Sequence, residues 1–242
     1  MLSLSFRRWE EADMNKNRIC SGNRYERNIP ALSPEECNLL RTKSVFIAGC
    51  GGLGGHLTEL MARIGIGTIF AVDGDVFEPS NLNRQILSTP DLIGCAKADA
   101  AVRRITLINP DIKATGIHTY ITEENARELI TGYDAVLDAL DNIDSRKFLS
   151  EACSDLGIPL IHGAINGWTA QAAISMPGDR LMEKLYPEGT VLKDKSVLSF
   201  TPALCASVQT SLCVRLLTGR SVATGILYYY DLLSQEFETI TL

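Results

Sequence analysis

The sequence contains no Cys-x-x-Cys pair and only three histidines among its 242 residues. Its seven cysteines (Cys20, Cys37, Cys50, Cys95, Cys153, Cys205 and Cys213) are odd in number and widely scattered. Neither a zinc ribbon nor a disulfide framework is expected from such spacing. Long apolar runs are also missing. The stretch from Val45 to Val72 is broken by His56, Glu59 and Arg63, and nothing reaches the roughly 18 apolar residues of a membrane span. Arg7 and Arg8 have no apolar stretch behind them, which argues against a signal peptide. There is no internal repeat. Net charge is -6 and the pI about 5.2, so the basic face that a general nucleic-acid binder needs is lacking. These absences together predict a reduced, cytoplasmic protein with neither membrane nor nucleic acid as a partner.

Hydrophobic residues make up 45% of the chain and charged residues 21%, enough for a sizeable core. Residues 1–32 read as a polar N-terminal arm, and 33–242 as one domain whose last part, 166–242, is a substrate-facing extension. Ser33-Pro-Glu-Glu36 has the form of a capping box that starts a helix. Beyond it, short apolar runs alternate with helical periods. Strands are expected at 44–48, 68–72, 113–119, 134–139, 159–164 and 169–176. Helices are expected after the glycines at 49–55, at 97–108, at 123–131, between 139 and 159, and at 202–217. The last of these carries Leu204, Val208, Leu212 and Leu216 four residues apart. Residues 179–199 read as loop, and 226–231 with 236–242 as a closing antiparallel pair. The resulting fold class is α/β: a doubly wound, mostly parallel Rossmann-like sheet with an antiparallel C-terminal extension. Such sheets bind ligands at the carboxyl ends of their strands.

Three segments fall at those ends. Gly49, Gly51 and Gly54 form a G-x-G-x-x-G pattern between a strand and a helix, with Gly52 inside it. There the backbone can approach phosphate and the helix N-terminus attracts it. Asp73 ends the next strand and is placed to accept from ribose hydroxyls. The glycine motif alone does not say which nucleotide binds. Arg84 and Lys97 follow closely, and two cations near a glycine loop suit a triphosphate better than the pyrophosphate of a nicotinamide cofactor. The third segment, from Asp138 through Asp141, Asn142 and Asp144 to Arg146, is rich in carboxylates. A carboxylate beside a polyphosphate calls for a divalent cation, and Asp141 is the chosen magnesium ligand. Asp138, Asp144 and Asn142 fit capping or a solvated edge. His56, His118 and His162 are isolated, with His162 read as structural. Cys205 and Cys213 read as packing residues.

Taken in order, Gly49-x-Gly-Gly-x-Gly54, Asp73-x-Asp75, Ser80-Asn-Leu-Asn-Arg84-Gln85, Gly94 with Lys97, Ile108-Asn-Pro110 and Asp138-x-x-Asp141-Asn142 with Arg146 resemble the ThiF/MoeB/HesA family. This family comprises the bacterial relatives of ubiquitin-activating enzymes, and the resemblance spans roughly residues 22–242. It implies an ATP-dependent adenylyltransferase, usually a homodimer, that activates the C-terminal glycine of a small ubiquitin-like sulfur-carrier protein ending in Gly-Gly. It implies that Gly49, Gly51, Gly52, Gly54, Asp73, Asp75, Asn81, Arg84, Gln85 and Lys97 bind ATP, and that Asp141 holds Mg2+. Residues 24–28, Arg-Tyr-Glu-Arg-Asn, are similar to the family's Arg-Tyr-x-Arg-Gln segment, with Asn28 at the glutamine position. The match gives Arg27 a catalytic role at the partner subunit's ATP, beside Arg84, Lys97 and Asp141. The zinc-binding cysteine pairs and the crossover-loop cysteine of many relatives are missing, so no zinc is expected and the reaction is expected to stop at the acyl-adenylate. Alternatives are a tRNA threonylcarbamoyladenosine dehydratase-like enzyme and an NAD-dependent oxidoreductase.

Overall fold

The computed structural model describes residues 24–190 and 196–242. Arg7, Arg8, Cys20 and most of the expected arm lie outside the described residues, as do positions 191–195 of the expected loop.

One eight-stranded sheet organises the chain, in the order β3-β2-β1-β4-β5-β6-β7-β8. Its strands are β1 (Ser44–Ala48), β2 (Thr68–Val72), β3 (Lys113–Ile117), β4 (Ala135–Asp138), β5 (Leu160–Asn166), β6 (Thr169–Ser175), β7 (Ile226–Asp231) and β8 (Glu236–Thr241). The first five are parallel, and β6 to β8 add on antiparallel. β1 and β4 are apolar almost throughout because helices cover both sheet faces. One face carries α1 (Pro34–Leu40), α2 (Gly52–Ile64), α3 (Lys97–Ile108) and α7 (Phe200–Leu217), and the other α4 (Ala126–Ile130), α5 (Ile143–Leu156) and α6 (Leu181–Leu185). The expected capping box is present: Ser33 Oγ accepts from Glu36 N–H and the Glu36 carboxylate accepts from Ser33 N–H.

Two expectations are corrected, and the expected C-terminal helix buries a line that its leucine spacing only partly marked. Residues 179–199 are not all loop, because α6 forms where Leu181, Met182 and Tyr186 pack onto the α5 side of the core. In α7 the fully buried line runs through Cys205, Ala206, Gln209, Leu212 and Cys213, with Leu204, Val208 and Leu216 along its edge. The four-residue spacing picked out three edge residues and one buried one, Leu212, because a core helix is apolar nearly all round. The end of the expected arm is fastened. Tyr25 lies over Gly65, where an added Cβ would meet its ring at 2.6 Å, and its hydroxyl accepts from Asn109 Nδ2 at 2.8 Å. Helix α7 has the length and mean hydropathy (1.2) of a membrane span, yet it packs in the core, where Gln209 donates to the carbonyls of Asp138 and Ile161.

Candidate functional site

Strand order reverses between β1 and β4, so the loops leaving them diverge and open a crevice. The cleft there has a volume of about 660 Å³, within the roughly 300–1,000 Å³ of small-molecule sites. Its wall includes Gly49, Gly51, Gly52, Asp73, Asp75, Arg84, Gln85, Lys97 and Asp141. Gly54 and Asn81 stand behind this wall, and Arg27 lies elsewhere on its own chain, exposed in a 3-10 turn.

Glycine is dictated by contact distances here. Gly49 has φ +94°, and an added Cβ would sit 2.8 Å from the Ala139 carbonyl. At Gly54 the same atom would lie 1.8 Å from the Gly49 carbonyl oxygen. The loop is thus wedged between the start of α2 and the exit of β4. Among the described residues no side chain caps the N-terminus of α2, which leaves its first N–H groups for an anion.

Asp73 ties this loop to the end of β2. Its carboxylate accepts from Cys50 N–H at 2.7 Å and from Asp75 N–H at 2.8 Å. Burial pushes its pKa above the usual carboxylate range, against those two bonds. Each oxygen keeps a lone pair for a further donor. Lys97 is buried at the start of α3 and pairs with Asp75 at 2.8 Å. Tyr120 crosses Gly74 and donates to the other Asp75 oxygen at 2.7 Å. Arg84 leaves a turn that Asn81 builds, for the Asn81 carbonyl accepts from the backbone N–H of both Arg84 and Gln85. The Arg84 guanidinium rests on Ser80 O and Asn83 Oδ1. Gln85 is buried, and its Oε1 has no partner among the described residues.

The turn after β4 separates its carboxylates. Asp141 is exposed, lines the cleft, and has no hydrogen-bond or ion-pair partner among the described residues. Asn142 caps α5 by accepting from Ser145 N–H at 2.8 Å. Asp144 is exposed away from the cleft wall. Asp138 neither caps nor meets solvent, contrary to the sequence reading. It is fully buried and paired with His162 at 2.7 Å. Arg146, Tyr186 and Gln171 join that pair and also line the cleft. Arg146 stood in the sequence pattern without a role, and nothing local links Tyr186 or Gln171 to it, since they meet only across β4, β5, β6 and α6. Burial pushes the thiols of Cys205 and Cys213 up to about 12 and raises that of Cys50 well above the ordinary thiol value. They stay protonated at neutral pH and are poor nucleophiles.

Comparisons with known proteins agree with this geometry. The family model described as "ThiF family" matches residues 25–242. The chain is 34% identical over 226 residues to "SAMP-activating enzyme E1" of Haloferax volcanii, covering 90% of this chain and 84% of that protein. It is 32% identical over 233 residues to "Sulfur carrier protein adenylyltransferase" of Thermus thermophilus, covering 90% and 86%. The crystal structure of Escherichia coli MccB with ATP shares the fold at a TM-score of 0.78 and 20% identity, over 91% of this chain and 71% of that one.

Proposed function

This chain belongs to the ThiF family, and from that membership we propose how its own residues divide the reaction. It is an ATP-dependent adenylyltransferase that activates a ubiquitin-like sulfur carrier. The carrier's C-terminal carboxylate, on a Gly-Gly tail, attacks the α-phosphorus of ATP. A carboxyl–phosphate O–P bond forms, the bond to the β-phosphate breaks, and pyrophosphate leaves, with no proton transferred. The glycine loop and the uncapped start of α2 receive phosphate. Asp73 accepts from the ribose, and Asp75, Asn81 and Gln85 shape the surrounding wall. Arg84 and Lys97 offset the repulsion between triphosphate and carboxylate and stabilise the departing charge.

The convergence of the glycine loop, Arg84, Lys97 and the unpartnered Asp141 on one cleft carries this reading. Asp141 would hold Mg2+, which takes one or two protein carboxylates with phosphate oxygens and supplies positive charge between them. An open carboxylate without a competing cation fits that donor set. Small residues on the far wall, Ala164 and Ala170, support a tail without side chains, and the lining by Thr169, Gln171 and Tyr229 supports 166–242 as the tail-facing part. The exposure of Arg27 supports a homodimer in which it serves the partner's ATP. Six described cysteines are free thiols, which supports a cytoplasmic location, testable by cell fractionation.

Incubation with Mg-ATP and a carrier ending in Gly-Gly is expected to add one AMP to the carrier, read by intact mass. Asp141→Ala and Arg27→Ala should each abolish that gain. Mixing and reassembling the two variants should restore roughly a quarter of the sites, since half the dimers are mixed and each holds one intact site. No adduct with any such carrier would refute the tail assignment, and no recovery on mixing would refute the shared site.

A further inference from the structure

At the cleft floor, with Asp138 and His162 beneath it, runs a largely buried chain of polar groups to which the reaction above gives no task. Asp138 and His162 are fully buried, and Arg146 and Tyr186 are each 5% exposed. His162 Nδ1 lies 2.7 Å from Asp138 Oδ2, and Tyr186 Oη lies 3.3 Å from His162 Nε2. Arg146 donates to Tyr186 Oη at 2.6 Å, and Gln171 Nε2 donates to the same oxygen at 3.2 Å. One placement of hydrogens satisfies all of them. Neutral His162 donates from Nδ1 to Asp138 and accepts at Nε2 from the Tyr186 hydroxyl, whose oxygen receives Arg146 and Gln171. Burial drives the imidazole toward that neutral form.

The network terminates on Leu140. Its N–H donates to Asp138 Oδ1 at 3.0 Å, and its carbonyl accepts from Arg146 Nη2 at 2.6 Å and Nε at 3.2 Å. Both backbone groups of the residue preceding Asp141 are therefore held by buried side chains, while Asp141 itself has no partner among the described residues. The guanidinium also donates to the Gly163 carbonyl at 3.3 Å and lies 3.7 Å from Asp138 Oδ2, and Tyr186, backed by His162, holds its remaining edge at Nη1. Packing alone would be served as well by apolar residues of the same volume.

We infer that His162 and Tyr186 are positioning residues of the adenylation site: acting through Arg146, they lock the Leu140 carbonyl and so fix where Asp141 enters the cleft. This rests on the reading of Asp141 as the cation ligand. Two measurements on the full chain test it: amide hydrogen exchange at Leu140 without nucleotide, and calorimetric ATP affinity with and without Mg2+. In Tyr186→Phe, which keeps the ring, Leu140 exchange is expected to quicken about tenfold, the effect of one hydrogen bond to a charged group. The gain in ATP affinity on adding Mg2+ should shrink by about the same factor, with Mg2+-free affinity unchanged. Arg146→Lys, which cannot fork, should reproduce both effects. His162→Gln, which can still donate and accept, should stay near wild type where His162→Leu does not. Unchanged Leu140 exchange in Tyr186→Phe, or an equal loss of affinity with and without Mg2+, overturns the inference. If Asp141→Ala leaves the Mg2+ effect intact while Leu140 still loosens in Tyr186→Phe, the cation assignment falls and the positioning of the turn stands.

Discussion

Replacing Gly54 by alanine is expected to abolish measurable ATP binding and to lower the melting temperature by about 10 °C. The new Cβ would lie 1.8 Å from the carbonyl oxygen of Gly49 and 2.6 Å from its carbonyl carbon. Both are backbone atoms, so no side chain can turn aside. Either the loop or α2 must shift, and each holds N–H groups proposed to receive phosphate. Overpacking typically costs about 1–3 kcal/mol, and a backbone clash belongs at or beyond the upper end. For a chain of this size each kcal/mol moves the midpoint by about 2–4 °C. Gly94→Ala is the control, because Gly94 has φ +85° but nothing within 4 Å of an added Cβ. It carries a left-handed strain that helical Gly54 lacks, without the collision, and it should lose stability while keeping most of its ATP affinity. Calorimetric titration with ATP and thermal unfolding of both variants decide the matter. ATP affinity in Gly54→Ala near the wild-type value would show that the loop yields more easily than these distances allow.

For Lys97→Ala the expected result is a fall in kcat/KM of about 10²–10³-fold, the usual effect of removing one preorganised charge-stabilising group, with only modest destabilisation. The two effects separate because the partners of this ion pair differ in burial. The Lys97 side chain is 7% exposed and that of Asp75 49%. Water can therefore resolvate Asp75 when the lysine goes, and Tyr120 continues to donate to it. Exposed and half-exposed pairs contribute about 1 kcal/mol or less. The same asymmetry lets Lys97 turn toward a triphosphate without leaving a buried charge behind. The double variant Asp75→Ala/Lys97→Ala distinguishes the roles. If Lys97 acts on phosphate, the double variant stays as slow as Lys97→Ala in steady-state pyrophosphate release. Recovery of activity in the double variant would mean that the lysine merely neutralises Asp75.

Most of the central strands and the start and end of α3 were legible because each is a local statement. An apolar run bounded by turn residues, a capping box at Ser33, or Gly-x-Gly-x-x-Gly between a strand and a helix constrains the backbone within a few residues. Most of the cleft wall was legible for the same reason, since Gly49, Asp73 and Asp141 sit just past strand ends and Lys97 at a helix start, with Arg84 in the turn between them. Helix α6 was not, because its five residues are too few to form a helix on propensity and do so through burial of Leu181, Met182 and Tyr186.

The covalent order of residues was enough to specify a doubly wound sheet, a glycine loop at its switch point and the charges gathered around it, because period and spacing encode those directly. Only the folded chain decided which carboxylate is which. Asp138 and Asp141 are three positions apart, yet one is fully buried against His162 and the other faces the cleft with no partner among the described residues. Solvation and partners that arrive from 20 to 50 residues away set that difference, and such distances along the chain leave no periodic trace in it.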